Sequence, residues 1–109
     1  MSDDKKEEVY QDFKNKVNMA PKELEDWLGT EESRSVGQDS GDGESKGHKS
    51  GEKIVKIKRT NKADLTDEQY AHMQKVNSYI ARHTAQQPDE VAGSAWLYSL
   101  KNWGHDPTK

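Results

Sequence analysis

"SGEKIVKIKR", residues 50–59, decides what kind of fold this chain can adopt. By propensity its branched residues Ile54, Val55 and Ile57 favour a strand, and a strand would bring a sheet with it. The side-chain pattern argues otherwise. As a strand, one face would carry Ile54, Lys56 and Lys58 and the other Lys53, Val55, Ile57 and Arg59, so neither face is apolar. At helical spacing, Ile54, Val55 and Ile57 gather on one arc while Lys53, Lys56 and Arg59 cover the opposite third. Lys58 falls among the apolar residues, so its stem is expected to lie along them with its ammonium in water. Ser50 is an acceptable N-cap. The stretch reads as a helix, and with it the fold class is all-α.

The neighbouring patterns agree. Downstream, "TDEQ" at 66–69 is a capping box, in which a Thr hydroxyl and a Gln side chain satisfy backbone N–H groups reciprocally. Behind it Tyr70, Met73, Val76, Tyr79, Ile80 and His83 form a stripe of three- and four-residue steps, predicting the longest helix, to about Gln86 before Pro88. In "GSAWLYSLKNWGHDP" Trp96, Leu100 and Trp103 share a face and Gly104 closes the turn. This tail is expected to dock across the other helices. Upstream, Val9, Phe13 and Val17 recur every four residues. "PKELEDWLG" then sets Leu24, Trp27 and Leu28 behind Pro21, which suits a first helical position. Its cap is poor, because Ala20 stands where a hydroxyl or carboxylate is preferred. The expectation is one small bundle of four to five helices over residues 6–109. Residues 1–5 are expected to be disordered, and the Gly- and Ser-rich segment 31–50 to be a long flexible loop between the second and third helices.

Composition bounds the rest. Only 29% of the 109 residues are hydrophobic and 34% are charged, so the core is thin. No apolar run reaches the length of a membrane span, and "MSDDKKEEVYQ" at the start lacks a secretory pattern. With no cysteine there is no disulfide and no Cys-type zinc site. An intracellular protein, cytoplasmic or nuclear, is expected.

The net charge of −3 conceals a reversal. Between residues 46 and 62, seven bases (Lys46, Lys49, Lys53, Lys56, Lys58, Arg59 and Lys62) stand against one acid, Glu52, while the flanking segments are acidic. A polyanion would be steered to this strip alone, and backbone N–H groups at the helix start favour phosphate.

Catalytic and metal motifs fail on the same residues. "GDGESKGHKSG" departs from a P-loop because His48 separates Gly47 from Lys49 and no buried strand precedes it. "DSGDGE" lacks calcium-loop spacing. His72 and His83 lie eleven residues apart on one predicted helix, about 16 Å along its axis, too far to share a metal. His83, on the apolar stripe, reads as a packed core residue. "GHD" at 104–106 reads as a local turn, without a nucleophile or oxyanion feature beside it. No enzyme activity, metal or other cofactor, membrane contact or small-molecule substrate is expected.

"PKELEDWL" followed by "SGEKIVKIKR" resembles the SAP-type helix–loop–helix that binds DNA, although the intervening loop is far longer here. Together "PKELEDWL", "SVG", "GESKGHKSGEKIV", "LTDEQYAHMQKVNSYIARHTAQ" and "WLYSLKNWGHDP" resemble a small family of unknown function in bacteria and fungi, some of whose members are described as DNA-binding. The resemblance implies a freestanding small domain and points towards nucleic acid, and it carries no activity with it. The expected function is a non-catalytic nucleic-acid-binding module that uses those seven bases against the phosphate backbone. The alternative is a helical protein–protein interaction or stress-related adaptor, working through the Trp96–Trp103 tail or the acidic first helix.

Overall fold

The computed structural model describes residues 2–35 and 46–109. In chain order its helices are α1 (Asp3–Lys16), α2 (Pro21–Leu28), α3 (Glu31–Ser35), α4 (Lys46–Lys58), α5 (Asp67–Thr84) and α6 (Ala95–Asn102), with a 3-10 turn at Lys62–Asp64. Among the described residues there is no strand, and no helix is long and apolar enough to cross a membrane. The lysine-rich stretch is helical, and the all-α fold follows.

Thr66 starts α5 as its sequence predicts. Its hydroxyl accepts the Gln69 N–H at 3.1 Å, and Gln69 Oε1 accepts the Thr66 N–H at 2.9 Å. The helix then buries Tyr70, Met73, Val76 and Ile80. Against this face lies α1, contributing Val9 and Phe13. The pair is pinned by Asn77, whose Nδ2 donates to the Val9 carbonyl at 3.2 Å, and at one end by Lys6 and Asp67, 3.0 Å apart. Helical order reaches into the stretch expected to be disordered. Ser2 caps α1 by accepting the Lys5 N–H at 3.2 Å, as a hydroxyl at this position can. Asp3 and Asp4 complement the positive end of the helix dipole.

The second layer pairs α2 with α4, where Leu24 and Leu28 meet Ile54, Val55 and Ile57. The deficient cap at Ala20 is partly made good by Glu23, whose Oε1 accepts the Ala20 N–H at 3.2 Å. Close approach is possible because position 51 is glycine. A Cβ there would stand 2.6 Å from both the Asn102 carbonyl oxygen and Leu28 Cδ2.

The expected loop 31–50 is shorter than its composition suggests. Glu31–Ser35 is helical and α4 begins at Lys46, so only the central part of that loop, 36–45, lies outside the described residues. Long-range hydrogen bonding explains the order at its start. Ser33 is fully buried, and its Oγ donates to Asn102 Oδ1 at 2.5 Å while Asn102 Nδ2 returns a bond to the Ser33 carbonyl at 2.9 Å. The Trp27 indole N–H donates to the same Oδ1 at 2.8 Å. One buried amide therefore ties α2, α3 and α6 together, and a buried polar group of this kind is stable only when so satisfied.

α6 closes the bundle over both layers with Leu100 and Trp103 buried. Its exit is left-handed at Gly104 (φ 83°), where a Cβ would meet Val17 Cγ1 at 2.8 Å. Beyond it the tail runs along the α1–α2 junction. His105 Nδ1 donates to the Lys16 carbonyl at 2.7 Å, and Asn18 exchanges bonds of 3.0 and 2.7 Å with the backbone of Asp106.

Candidate nucleic-acid interface

α4 presents its predicted faces. Ile54, Val55 and Ile57 point into the core, with Ser50 and Gly51 buried at the same side, and Lys53 and Lys56 are exposed on the other. Lys49, half-exposed, precedes Lys53 by one turn on the same face. The side chain of Lys46 lies outside the described residues.

The other three bases of the predicted strip are committed to the protein itself. Lys58 turns inward and donates to the carbonyls of Val17 at 3.1 Å and Met19 at 3.0 Å, at the junction of α1 and α2. Burial holds its ammonium below the ordinary lysine range, and Lys109 pushes the same way. Its ammonium is therefore engaged by two backbone carbonyls instead of standing free in water as a snorkelling lysine would. Arg59 pairs with Glu25 of α2 at 2.6 Å. Lys62 pairs with Glu7 of α1 and lies 4.7 Å from the centre of the Tyr10 ring. The hydrogen bond to Glu7 raises the Lys62 pKa and lowers that of Glu7. Both pairs are exposed, so each adds little stability, but each offsets a charge that the strip was expected to offer.

A base from outside the run joins those that remain. α4 and α5 leave a shared connection, residues 59–66, and between them opens a cleft of about 690 Å³. Lys53 and Lys56 reach it from α4 and Lys75 from α5, with Ile57 and His72 in the wall. Among the described residues none of these three lysines forms an ion pair. Sequence reading missed Lys75 because it stands outside the basic run. Its signal was on α5 itself: it lies off the apolar stripe, three residues after His72, on the face turned to α4.

His72 links the cleft to the core. Its Nε2 shares a hydrogen bond of 3.0 Å with Ser50 Oγ, and its ring stacks against Trp103 with centroids 6.4 Å apart. Burial pushes its pKa below the ordinary imidazole value, Lys53 and Lys75 act in the same direction, and a hydrogen bond to the Ser50 backbone opposes them. The ring is thus held neutral near pH 7, between two ammonium groups. His83, placed on the stripe by sequence, stacks between Tyr79 and Trp96 at 5.1 and 6.1 Å. Its Nε2 is buried without a hydrogen bond. Among the described residues no three His, Asp or Glu side chains converge as metal ligands.

The tail aromatics are mostly covered. Trp103 is buried and stacks on Tyr79 at 4.1 Å. Trp96 is half-buried with its indole N–H donated to the His83 carbonyl at 2.6 Å.

Comparison with known proteins adds a family and no activity. A family model described as a protein of unknown function (DUF3140) matches residues 12–101. No curated protein and no solved structure matches the chain.

Proposed function

We propose that this chain, which belongs to the DUF3140 family, is a small non-catalytic, intracellular nucleic-acid-binding module directed at backbone phosphate. One observation carries the reading: Lys53, Lys56 and Lys75 meet at one cleft without carboxylate partners of their own, while Arg59 and Lys62 are paired and Lys58 is internal. Ammonium groups already free of ion pairs can approach a phosphate without first breaking an internal contact. Lys49 extends the same face of α4 away from the cleft. The contacting set is therefore smaller than the run of seven bases, and phosphate contacts of this kind position a chain without reading its sequence.

Fluorescence anisotropy with duplex DNA, single-stranded DNA and RNA at two salt concentrations tests this. With three lysines engaged, log K should fall with log salt at a slope of about −3 on duplex DNA, and affinity should be about micromolar or weaker at physiological salt. Lys53→Glu with Lys56→Glu should abolish binding, whereas Arg59→Gln should alter it little. Absence of binding at low salt, or binding indifferent to the double variant, would overturn the proposal.

The adaptor reading has less support. Trp103 is inside the bundle, Trp96 is half-buried and hydrogen-bonded, and α1 carries five acids against four bases rather than a strongly acidic face.

A further inference from the structure

The chain has eight Phe, Trp and Tyr residues, all within the described regions, and the fold engages each ring. Phe13, Tyr70 and Trp103 are buried. The other five are half-buried. Between α5 and α6, Trp96, His83, Tyr79 and Trp103 form a ladder of near-parallel rings, with successive centroids 6.1, 5.1 and 4.1 Å apart. Trp27 meets Tyr98 at 5.6 Å and has the Lys101 ammonium 4.2 Å from its ring centre. Tyr10 has the ammonium groups of Lys14 and Lys62 at 5.7 and 4.7 Å. None of the eight lines the α4–α5 cleft. Among the described residues the one ring in the cleft wall is His72, which continues the ladder beyond Trp103 at 6.4 Å and is hydrogen-bonded to Ser50.

Single strands are held largely by stacking, since each base laid on an aromatic side chain adds to the affinity that phosphate contacts supply. Here the rings are taken up by other parts of the protein, and the cleft offers charge without a platform. Nor does a strand gain by entering the cleft. Its wall carries two carboxylates, Asp64 and Glu68, beside the three lysines, so phosphate drawn inside would face both signs. Lys53, Lys56 and Lys75 are exposed, and their long side chains can meet phosphate from outside. What then distinguishes one nucleic acid from another is charge density, and a duplex carries one charge per about 1.7 Å of its axis. We infer that the site selects double-stranded over single-stranded nucleic acid, docking the exposed lysines on an intact duplex without unstacking a base. The inference rests on the reading that these lysines hold backbone phosphate, and it names the form of the polymer they hold.

Fluorescence anisotropy of the full chain tests it, with a short DNA duplex, its strands alone (chosen not to self-pair) and an RNA in both forms. Counterion release per contact is about 0.9 on a duplex and about 0.7 on a single strand. With three lysines engaged and equal affinities at about 1 M salt, the duplex should bind about sixfold more tightly than its strands at about 50 mM. That advantage should shrink to about threefold at about 150 mM. Ala71 is exposed in the cleft wall. Ala71→Trp, which supplies a platform there, should raise single-strand affinity about fivefold or more and leave duplex affinity within about twofold. A single strand that binds the unaltered chain as tightly as its duplex overturns the inference. So does an Ala71→Trp chain, folded by circular dichroism, that gains nothing on single strands. If binding is indifferent to strandedness but Lys53→Glu with Lys56→Glu abolishes it, this inference falls and the proposed function stands. No binding of any probe at low salt ends both.

Discussion

Lys58 Nζ lies 3.1 Å from the carbonyl oxygen of Val17, so a lysine from the centre of the basic run serves as an internal plug. The Val17 and Met19 carbonyls sit where the chain turns from α1 to α2, with no helical N–H to receive, and the tip of α4 supplies the donors.

Replacing Lys58 with Met keeps the stem and removes those donors. Leaving buried acceptors unpaired costs about 1–3 kcal/mol. Urea unfolding should register a loss of this size, while oligonucleotide affinity of the folded variant should stay within about twofold. A large loss of affinity without a loss of stability would place Lys58 at the interface instead.

Gly51→Ala tests the α2–α4–α6 contact. In an open helix the change would stabilise by about 1 kcal/mol. Here the new methyl meets the Asn102 carbonyl and the Leu28 side chain at 2.6 Å. Overpacking of this kind costs about 1–3 kcal/mol. Net destabilisation is expected in thermal or urea melts; a gain would mean the helices separate easily.

Asn102→Leu removes the buried hub. The Trp27 indole N–H, the Ser33 hydroxyl and the Ser33 carbonyl lose their partner together. With three groups stranded, a deficit of about 2 kcal/mol or more is expected. Because Trp27 would then turn towards water, its fluorescence should move to the red. Ser33→Ala should cost less, as it leaves the Trp27 bond intact.

Acid sensitivity should come from two histidines before the carboxylates contribute. Burial lowers the pKa of His72 and of His83. The unfolded chain therefore takes up protons first, and stability present above about pH 6.5 declines as pH falls through the lower folded values. The lowered carboxylates Glu7, Glu23 and Asp67 add their own loss only at more acid pH. His83→Phe preserves the stack between Tyr79 and Trp96 and removes an unpartnered buried nitrogen. It should leave stability at pH 7 equal or higher and reduce the slope between pH 5 and 6.5. An unchanged slope in His83→Phe and in His72→Gln would show that neither ring is titrating there.

Oligonucleotide binding should respond to the same window with opposite sign. An oligonucleotide phosphodiester at the cleft, whose own charge is constant over this range, favours the charged form of His72, so oligonucleotide affinity should rise as pH falls from 7 to 5.5. His72→Gln should flatten that rise while retaining binding at pH 7. Isothermal titration in buffers of different ionisation enthalpy would detect the coupled proton uptake.

What could be read without coordinates was local. The Thr66 and Gln69 box, the stripe from Tyr70 to Ile80, the helical arc of Ile54, Val55 and Ile57, and the left-handed stop at Gly104 depend on neighbours within a few positions of the chain, and each is present. The short helix at Glu31–Ser35 was not legible, because its order comes from Asn102, 69 residues away from Ser33. Nor was the shape of the basic site. Sequence determined that seven bases crowd into residues 46–62, since charge is a property of residue type. Only the tertiary structure decided which of them face solvent without a partner. Carbonyls on α1–α2 and carboxylates at Glu7 and Glu25 claim Lys58, Lys62 and Arg59, and α5 brings Lys75 to Lys53 across a connection no run of residues reveals. Electrostatic and hydrogen-bond partners are set by distance in space, and composition along the chain does not contain that distance.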